Sequence, residues 1–487
     1  MFQRKKLGTL LLVALLGGMA GCKQYLDVNV DPNRPSDVTL QTLMPTVQQA
    51  TASFNYSTAY TANQYIQQIG GGVDDQTVAT MEAGWSTLYL TVVPNLRLII
   101  AKAQEPATTS PAYVGIAKTL LAFNLGMATT YWENIPYSQA DAEGTFRPPF
   151  DTQESIQTEV QKLLDEAIVE LKKDRSASLV VPATDDLVYG GDLTKWIKLA
   201  YTIKARFYLH TTKKGATQAA QSALAALANG MTSTADDFQL VYRSGLLNPW
   251  HQVALANYTG NLTIAQGAYF INLMNTTTYP TFDPRLPLLA GSLKAGYVYA
   301  TPQSYQGTRP NGAAAKTVDF TRDTYPTRVD APIQLVTYAE AKFIEAEARF
   351  LANGGIRTST GSTADAYAAY LEGTRANLLK LGVSTTATST YLAAPDVAVG
   401  VAGLKLERIM VEKYKALFLN GEAWTDLRRY DYDPAVYRDL ALPERLNPEL
   451  NGRWIQRVNY PVTETARNAE VTAANFKPLN ETMWLFK

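Results

Sequence analysis

The stretch LKLERIMVEKYKALFLNGEAWTDLRRY, residues 404–430, decides how the rest of the chain reads. Leu406, Ile409, Met410, Tyr414 and Leu417 recur at steps of three and four, which lays one apolar stripe along an α-helix. Glu407, Arg408, Glu412, Lys413 and Lys415 fall mostly off that stripe, and the Arg408–Glu412 spacing lets the two meet across one turn. Asn420-Gly421 supplies residues that tolerate a left-handed stop. A second short helix follows and ends before Asp433-Pro434. The stretch is a helix-turn-helix corner with a buried Trp424 and an Arg428-Arg429 pair, a structural corner of an all-helical domain.

Working outward, helical signals dominate. They cover residues 40–68, 85–103 (interrupted by Pro94), 112–131, 156–173, 193–212, 216–228, 338–351, 364–381 and 404–419. Asp151 with Glu154 reads as a capping pair before residues 156–173, and Thr337 with Glu340 as a capping box before residues 338–351. The helices fall in pairs joined by short turns, which suggests tetratricopeptide-like packing, although no literal 34-residue repeat signature occurs. Length alone allows roughly three domains of ~150 residues.

The chain opens with Arg4, Lys5 and Lys6, then an apolar run over residues 7–20 closed by small residues at Gly21. That is a secretory signal peptide over residues 1–21, its apolar run short of the roughly 20 residues a membrane span needs. Cys22, the only cysteine, stands where a bacterial lipoprotein signal places its lipidated residue and cannot form an internal disulfide. Residues 22–37 then read as a lipid-anchored tether. Asp27, Asn29 and Asp31 alternate like a calcium loop, but Pro32 stands where glycine is needed and Val38 where the closing glutamate belongs, so the segment is a turn. Lysine plus arginine balance aspartate plus glutamate at 44 each, and removing the signal peptide takes away three cations and no anion. A nucleic-acid partner is excluded by the absence of any basic block or net positive field.

Two long regions do not read as helix: residues 231–267 and the proline-rich residues 275–332. Loops of that length in compact domains are usually functional or disordered, and their tyrosines argue against disorder. Catalytic chemistry finds little material. Histidine is limited to His210 and His251, and His210 ends a helix, where a cation is favoured. No nucleophile elbow, phosphate loop or dinucleotide fingerprint occurs, and the chain implies neither cofactor nor metal. A glycosidase needs only two carboxylates, and Glu340, Glu345 and Glu347 are available, but on a capped helix such groups ordinarily cap, pair or solvate. Binding fits better, because flat aromatic surfaces flanked by amides and charges suit the apolar faces and hydroxyl edges of sugars. With 28 tyrosines and 7 tryptophans the chain has enough for core and site alike. The candidate ligand-binding residues are Trp250, His251, Asn257, Tyr258, Tyr297, Tyr299 and Tyr305; the competing role for each is a loop side chain plugged back onto the scaffold.

The corner stretch resembles the signature of the SusD/RagB family of nutrient-binding outer-membrane lipoproteins. YWENIPYSQA (residues 131–140), GGDLTKWIKLAYTIKARFYLH (190–210), FDPRLP (282–287), TYAEAKFIEAEARF (337–350) and VNYPVTE (458–464) resemble it in the same order. The resemblance implies a mostly α fold of tetratricopeptide-like pairs with loop-rich excursions, forming one domain over residues 38–487. It further implies a non-enzymatic receptor anchored to the outer membrane through Cys22, facing the cell exterior. Its expected partner is a SusC-like TonB-dependent β-barrel transporter, over which it sits as a lid. The expected ligand is an oligosaccharide or polysaccharide. An oligopeptide ligand, or a non-catalytic helical assembly scaffold, stands as the alternative.

Overall fold

Among the described residues, which in this computed structural model are 38–73, 75–140, 144–243, 245–310 and 316–487, the helical segments form where their spacing predicts. The signal peptide, Cys22 and the tether lie outside the described residues. Helix α1 (Leu40–Tyr65) is capped by Thr39, and α2 (Glu82–Thr87) runs through a π-helical turn at Leu88–Val92 into α3 (Val93–Lys102). The wide turn opens the hydrogen-bond ladder just where Pro94 has no N–H to offer, so the proline interrupts the ladder without ending the helix. Helix α4 (Pro111–Trp132) is buried on nearly every side, followed by α5 (Gln153–Leu171), α6 (Leu193–His210) and α7 (Ala216–Leu227).

The chain then leaves the helical stack through β2 (Phe238–Leu240); β1 (Ile69–Gly70) precedes it in sequence. This excursion carries α8 (Pro249–Tyr258), β3 (Ala265–Gln266), α9 (Ala268–Asn272) and α10 (Leu286–Leu289), and returns through β4 (Ile333–Val336). Antiparallel pairing of β2 with β4 clamps its base, and β1 pairs with β3. The stack resumes with α11 (Tyr338–Ala352), α12 (Ala364–Leu381), α13 (Thr385–Leu392), α14 (Gly400–Gly403), α15 (Leu406–Ala416) and α16 (Glu422–Arg429). Helices α4 and α5, α6 and α7, α11 and α12 pack as antiparallel neighbours, and α7 packs directly on α11 across the excursion. The fold is therefore mostly α, built of tetratricopeptide-like pairs, with a long loop-rich excursion inserted between two consecutive helices of the stack.

Several local expectations change. Residues 231–267 contain α8, started by Asn248, whose side chain accepts from Trp250 N at 2.8 Å, with Pro249 at the first helical position. Helix α5 is capped by Thr152, while Asp151 accepts from Tyr137 N and Ser138 N. Only half the capping box at α11 forms, because the Glu340 carboxylate turns inward to Arg206. In the corner, the left-handed position is Leu419 (φ 65°), and Gly421 is needed for a different reason. A Cβ there would stand 2.1 Å from the Tyr131 hydroxyl. Arg408 and Glu412 do not pair: Glu412 is taken by Arg285 at 2.6 Å, and Arg408 lies 4.2 Å over the Tyr279 ring.

Trp424 is fully buried as expected, stacked near Tyr131, with the Arg428 guanidinium 3.8 Å from its ring. Arg429 reaches the buried Glu347 at 2.8 Å, and Lys413 reaches Asp426 at 2.9 Å. His210 is buried, and burial depresses its pKa, so the neutral ring donates Nε2–H to Glu422 at 2.6 Å instead of serving as an exposed helix-end cation.

Burial alone would raise the Glu347 pKa, but Arg429 and Lys413, with hydrogen bonds from Arg429 and Tyr430, hold it at about 2. Because that lies below the ordinary 4.5, the stabilisation is complete above the unfolded value and is lost as the pH falls from 4.5 towards 2. Denaturant titrations across that window should show wild-type stability falling towards that of Glu347→Gln, whose own loss over the window is smaller. At neutral pH, Glu347→Ala should lower the unfolding free energy by about 3–5 kcal/mol, since it strands buried cations.

Candidate functional site

Helix α8 sets the geometry of the excursion. Trp250, Val253, Ala254 and Asn257 form its buried face, while His251 and Tyr258 lie a heptad apart on another. His251 Nδ1 lies 2.7 Å from Thr327 O, and Asn248 Nδ2 donates to Ala331 O at 2.9 Å. These bonds pin the turn formed by residues 321–331 against α8. The turn is braced internally by the Thr324 and Thr327 hydroxyls, 2.6 Å apart, and by Thr327 Oγ1 donating to Thr321 O. Tyr325, within this turn, donates its N–H to Leu288 O at 2.9 Å, so α10 fixes it from the other side.

A cleft of ≈ 380 Å³ opens between Tyr258 at the end of α8 and Tyr325 on the turn. Tyr258 is 43% exposed, and the Arg322 guanidinium lies 4.8 Å over its ring. Arg328 covers the Tyr325 ring at 4.6 Å and pairs with Asp330 at 2.8 Å. Each stack restricts both partners, so the cleft presents aromatic edges and guanidinium planes already in place. Between them stand Ser292, Thr321, Thr324 and Asp323, and Leu288 supplies an apolar wall. Burial raises the Tyr325 phenol pKa, with Arg328 pulling partly back, so its hydroxyl keeps its proton at neutral pH. Such a lining can take the face of a ring ligand and hydrogen-bond a rim of hydroxyls. Among the described residues no cluster of three or more His, Cys, Asp or Glu side chains is placed to hold a metal ion.

The other candidates lie elsewhere. Trp250 is 3% exposed, packed edge-on to Tyr56 at 5.0 Å and against Tyr60 and Phe320, and borders only a cavity of ≈ 40 Å³. Asn257 spends its amide on Ile264 and the Phe320 carbonyl. Tyr299 and Tyr305 stack at 3.9 Å, with Tyr297 edge-on to Tyr299 at 5.1 Å. Their ladder braces its own loop, Tyr299 donating to Thr317 O and Tyr297 to Ser304 O. It stands behind the Ser292 rim: Gly291 bridges to Asp319, and Leu293 N donates to Asp319 Oδ2. Only Tyr258 of the seven lines the cleft. Asp323, Tyr325 and Arg328 also line the cleft, and Arg322 flanks it over Tyr258; RDTYPTR (residues 322–328) places a cation three residues either side of a tyrosine that precedes proline.

A family described as starch-binding associating with outer membrane matches residues 32–461. Among solved structures, a SusD/RagB family protein from Bacteroides thetaiotaomicron is similar with a TM-score of 0.73 at 21% identity, covering 92% of this chain and 99% of that one. A chitin-binding protein is similar with a TM-score of 0.72 at 22% identity, covering 92% and 100%. A chitin-binding SusD homolog from Flavobacterium johnsoniae gives 0.71 at 20% identity, covering 92% and 98%. At these identities the likeness is one of fold. No curated protein matches the chain. Among the described residues no helix is long and apolar enough to cross a membrane.

Trp250→Ala should act on stability, lowering the unfolding free energy by about 3–5 kcal/mol. Tyr258→Ala should leave it within about 0.5 kcal/mol, as surface substitutions do. Parallel chemical denaturation of the two variants checks this.

Proposed function

The chain belongs to the SusD-like family, and from that premise we propose that it captures glycan in the Tyr258–Tyr325 cleft. The family consists of binding proteins, not enzymes, and is associated with the outer membrane. The reading further takes the chain to be a surface-exposed lipoprotein, anchored through Cys22, that delivers its ligand to a TonB-dependent β-barrel transporter as its lid. The observation that carries the ligand site is the pair of guanidinium-backed tyrosines flanking a cleft lined by hydroxyls. Starch in the family's description and chitin in the names of two structural neighbours support a glycan. Residues 38–487 act in this reading as one domain, on a 16-residue tether that spans at most about 55 Å. An anchor and a docked partner together hold the cleft at high effective concentration above a pore, so modest affinity suffices and favours release.

The test is isothermal calorimetry of residues 24–487 against α-glucans, chitin oligosaccharides and oligopeptides, with product analysis of the same samples. Binding of a glycan without products, weakened at least about tenfold in Tyr325→Ala, is the expected result; tenfold corresponds to about 1.4 kcal/mol, within the range of an aromatic contact. Binding confined to peptides would replace the glycan by a peptide ligand. Affinity unchanged in both Tyr258→Ala and Tyr325→Ala would remove the cleft from the reading.

A further inference from the structure

We propose that a small cavity behind the Tyr258–Tyr325 cleft receives the acetamido group of a sugar, so that the glycan taken by the cleft is an N-acetylated one. This rests on the glycan reading and adds to it the substituent that the site reads. The cavity measures ≈ 40 Å³. Tyr325 and Leu381 line both spaces, and consecutive residues of α10 divide between them, Leu288 on the cleft and Leu289 on the cavity. The two spaces therefore adjoin at the Tyr325 ring.

Two donors on buried side chains open on this cavity without partners. Asn377, 4% exposed on α12, accepts at Oδ1 from Arg285 Nη1 at 2.9 Å. A guanidinium can only donate, so that bond fixes which way the amide lies and leaves its Nδ2–H unpaired among the described residues. Trp250 is 3% exposed, and its indole Nε1–H is likewise unpaired among them. Unlike the unpartnered hydroxyls of Tyr89 and Tyr269, neither nitrogen is sealed within the packing, and both residues line this one cavity. At its lip Gln334 Nε2 donates to the Tyr325 hydroxyl at 3.4 Å, which leaves Gln334 Oε1 as an acceptor with no partner among the described residues.

Two N–H donors match the two lone pairs of a carbonyl oxygen, and the Gln334 acceptor matches an amide N–H. Leu289, Pro332, Ile333, Phe418 and Leu419 give a methyl group an apolar seat. An acetamido group carries all three features. The volume agrees, since the cavity holds about three water-sized groups, enough for a substituent and too little for a pyranose ring. A carboxylate fits less well: the one cation on the lining, Lys415, is spent on Asp283 and Glu412, and a buried charge needs a counterion of its own. A hydroxyl would leave the apolar seat empty. The main-chain amide of a peptide continues on both sides and cannot end in so small a space.

The test is calorimetric titration of residues 24–487 with a β-1,4-linked tetramer of N-acetylglucosamine and with the matching glucose tetramer. The acetylated tetramer should bind at least about tenfold more tightly, as two added hydrogen bonds and a seated methyl group require. Trp250→Phe keeps an aromatic ring in place and removes one donor, so affinity for the acetylated tetramer should fall about threefold to tenfold, the size of a typical hydrogen bond. Ala416→Val narrows the cavity from the end of α15 and removes no side-chain hydrogen bond, and the preference for the acetylated tetramer should collapse. A denaturation midpoint close to wild type verifies that each variant is folded. Equal affinity for the two tetramers, weakened alike in Tyr325→Ala, overturns the acetamido site and leaves glycan capture standing. Binding of an α-glucan without binding of the acetylated tetramer does the same. A preference that survives both Trp250→Phe and Ala416→Val also overturns the site. No binding to any saccharide overturns the glycan reading and this inference with it.

Discussion

Everything in this molecule depends on burying ion pairs between parts of the chain that are far apart in sequence. Arg206 meets Glu340 through two bonds, at 2.6 and 2.5 Å, joining α6 to α11. Arg429 and Lys413 converge on Glu347 and Asp426, joining α11, α15 and α16. Arg285, Asp283, Glu412 and Lys415 form a third group, which ties the base of α10 to α15. Removing so many charges from water is costly, and such groups are weak evidence for net stability. Their effect is on register: a helix slid by one turn would leave a buried charge without its counterion. The third group bears most directly on the proposed cleft. It fixes α10, whose Leu288 carbonyl holds the Tyr325 N–H, so the cleft inherits its position from charges buried in the scaffold.

That dependence also marks where the sequence stops being readable. Helix α12 occupies residues 364–381 as its spacing predicts, because an apolar stripe and a Thr363 cap are local signals. The role of Glu340 is not local. Its position three residues after Thr337 says capping box, and only the arrival of Arg206, 134 residues upstream in sequence, turns its carboxylate inward. Gly421 is similar: a glycine after asparagine reads as a turn residue, whereas its necessity comes from Tyr131 on α4. The π-helical turn ahead of Pro94 was legible only as an interruption.

For the site, the aromatic excursion is legible in the sequence, but which side each of its residues presents depends on Pro249–Tyr258 being a helix. Once Asn248-Pro249 is taken as a helix start, Trp250, Val253, Ala254 and Asn257 fall at steps of three, one and three, and this stripe must face the core. Tyr258 falls off it and faces the cleft. Composition obscured this, since tryptophan and asparagine beside histidine and glycine look like a polar binding loop. The Tyr297–Tyr299–Tyr305 ladder misleads in a related way. Aromatic side chains in a long loop can serve a ligand or serve the loop, and here stacking at 3.9 Å uses the facing rings on each other.

The insertion of the excursion between α7 and α11 separates two demands that usually conflict. Those helices pack on each other directly, and the β2–β4 pair closes the base, so the stack does not rely on the excursion for its continuity. Changes at cleft-lining positions within residues 245–331 can therefore alter the lining without loosening the scaffold, provided Trp250, Asp283 and Arg285 keep their partners. Rigid support then reduces the entropy that binding must overcome, because Tyr258 and Tyr325 are held by Arg322 and Arg328 before any ligand arrives. Exposure limits the gain from the other direction, since Tyr258 stays open to water and the nearby Arg328–Asp330 pair is screened. A preformed but solvent-exposed cleft thus favours binding that is selective in shape and modest in strength, the balance that the proposed capture and release of a glycan requires.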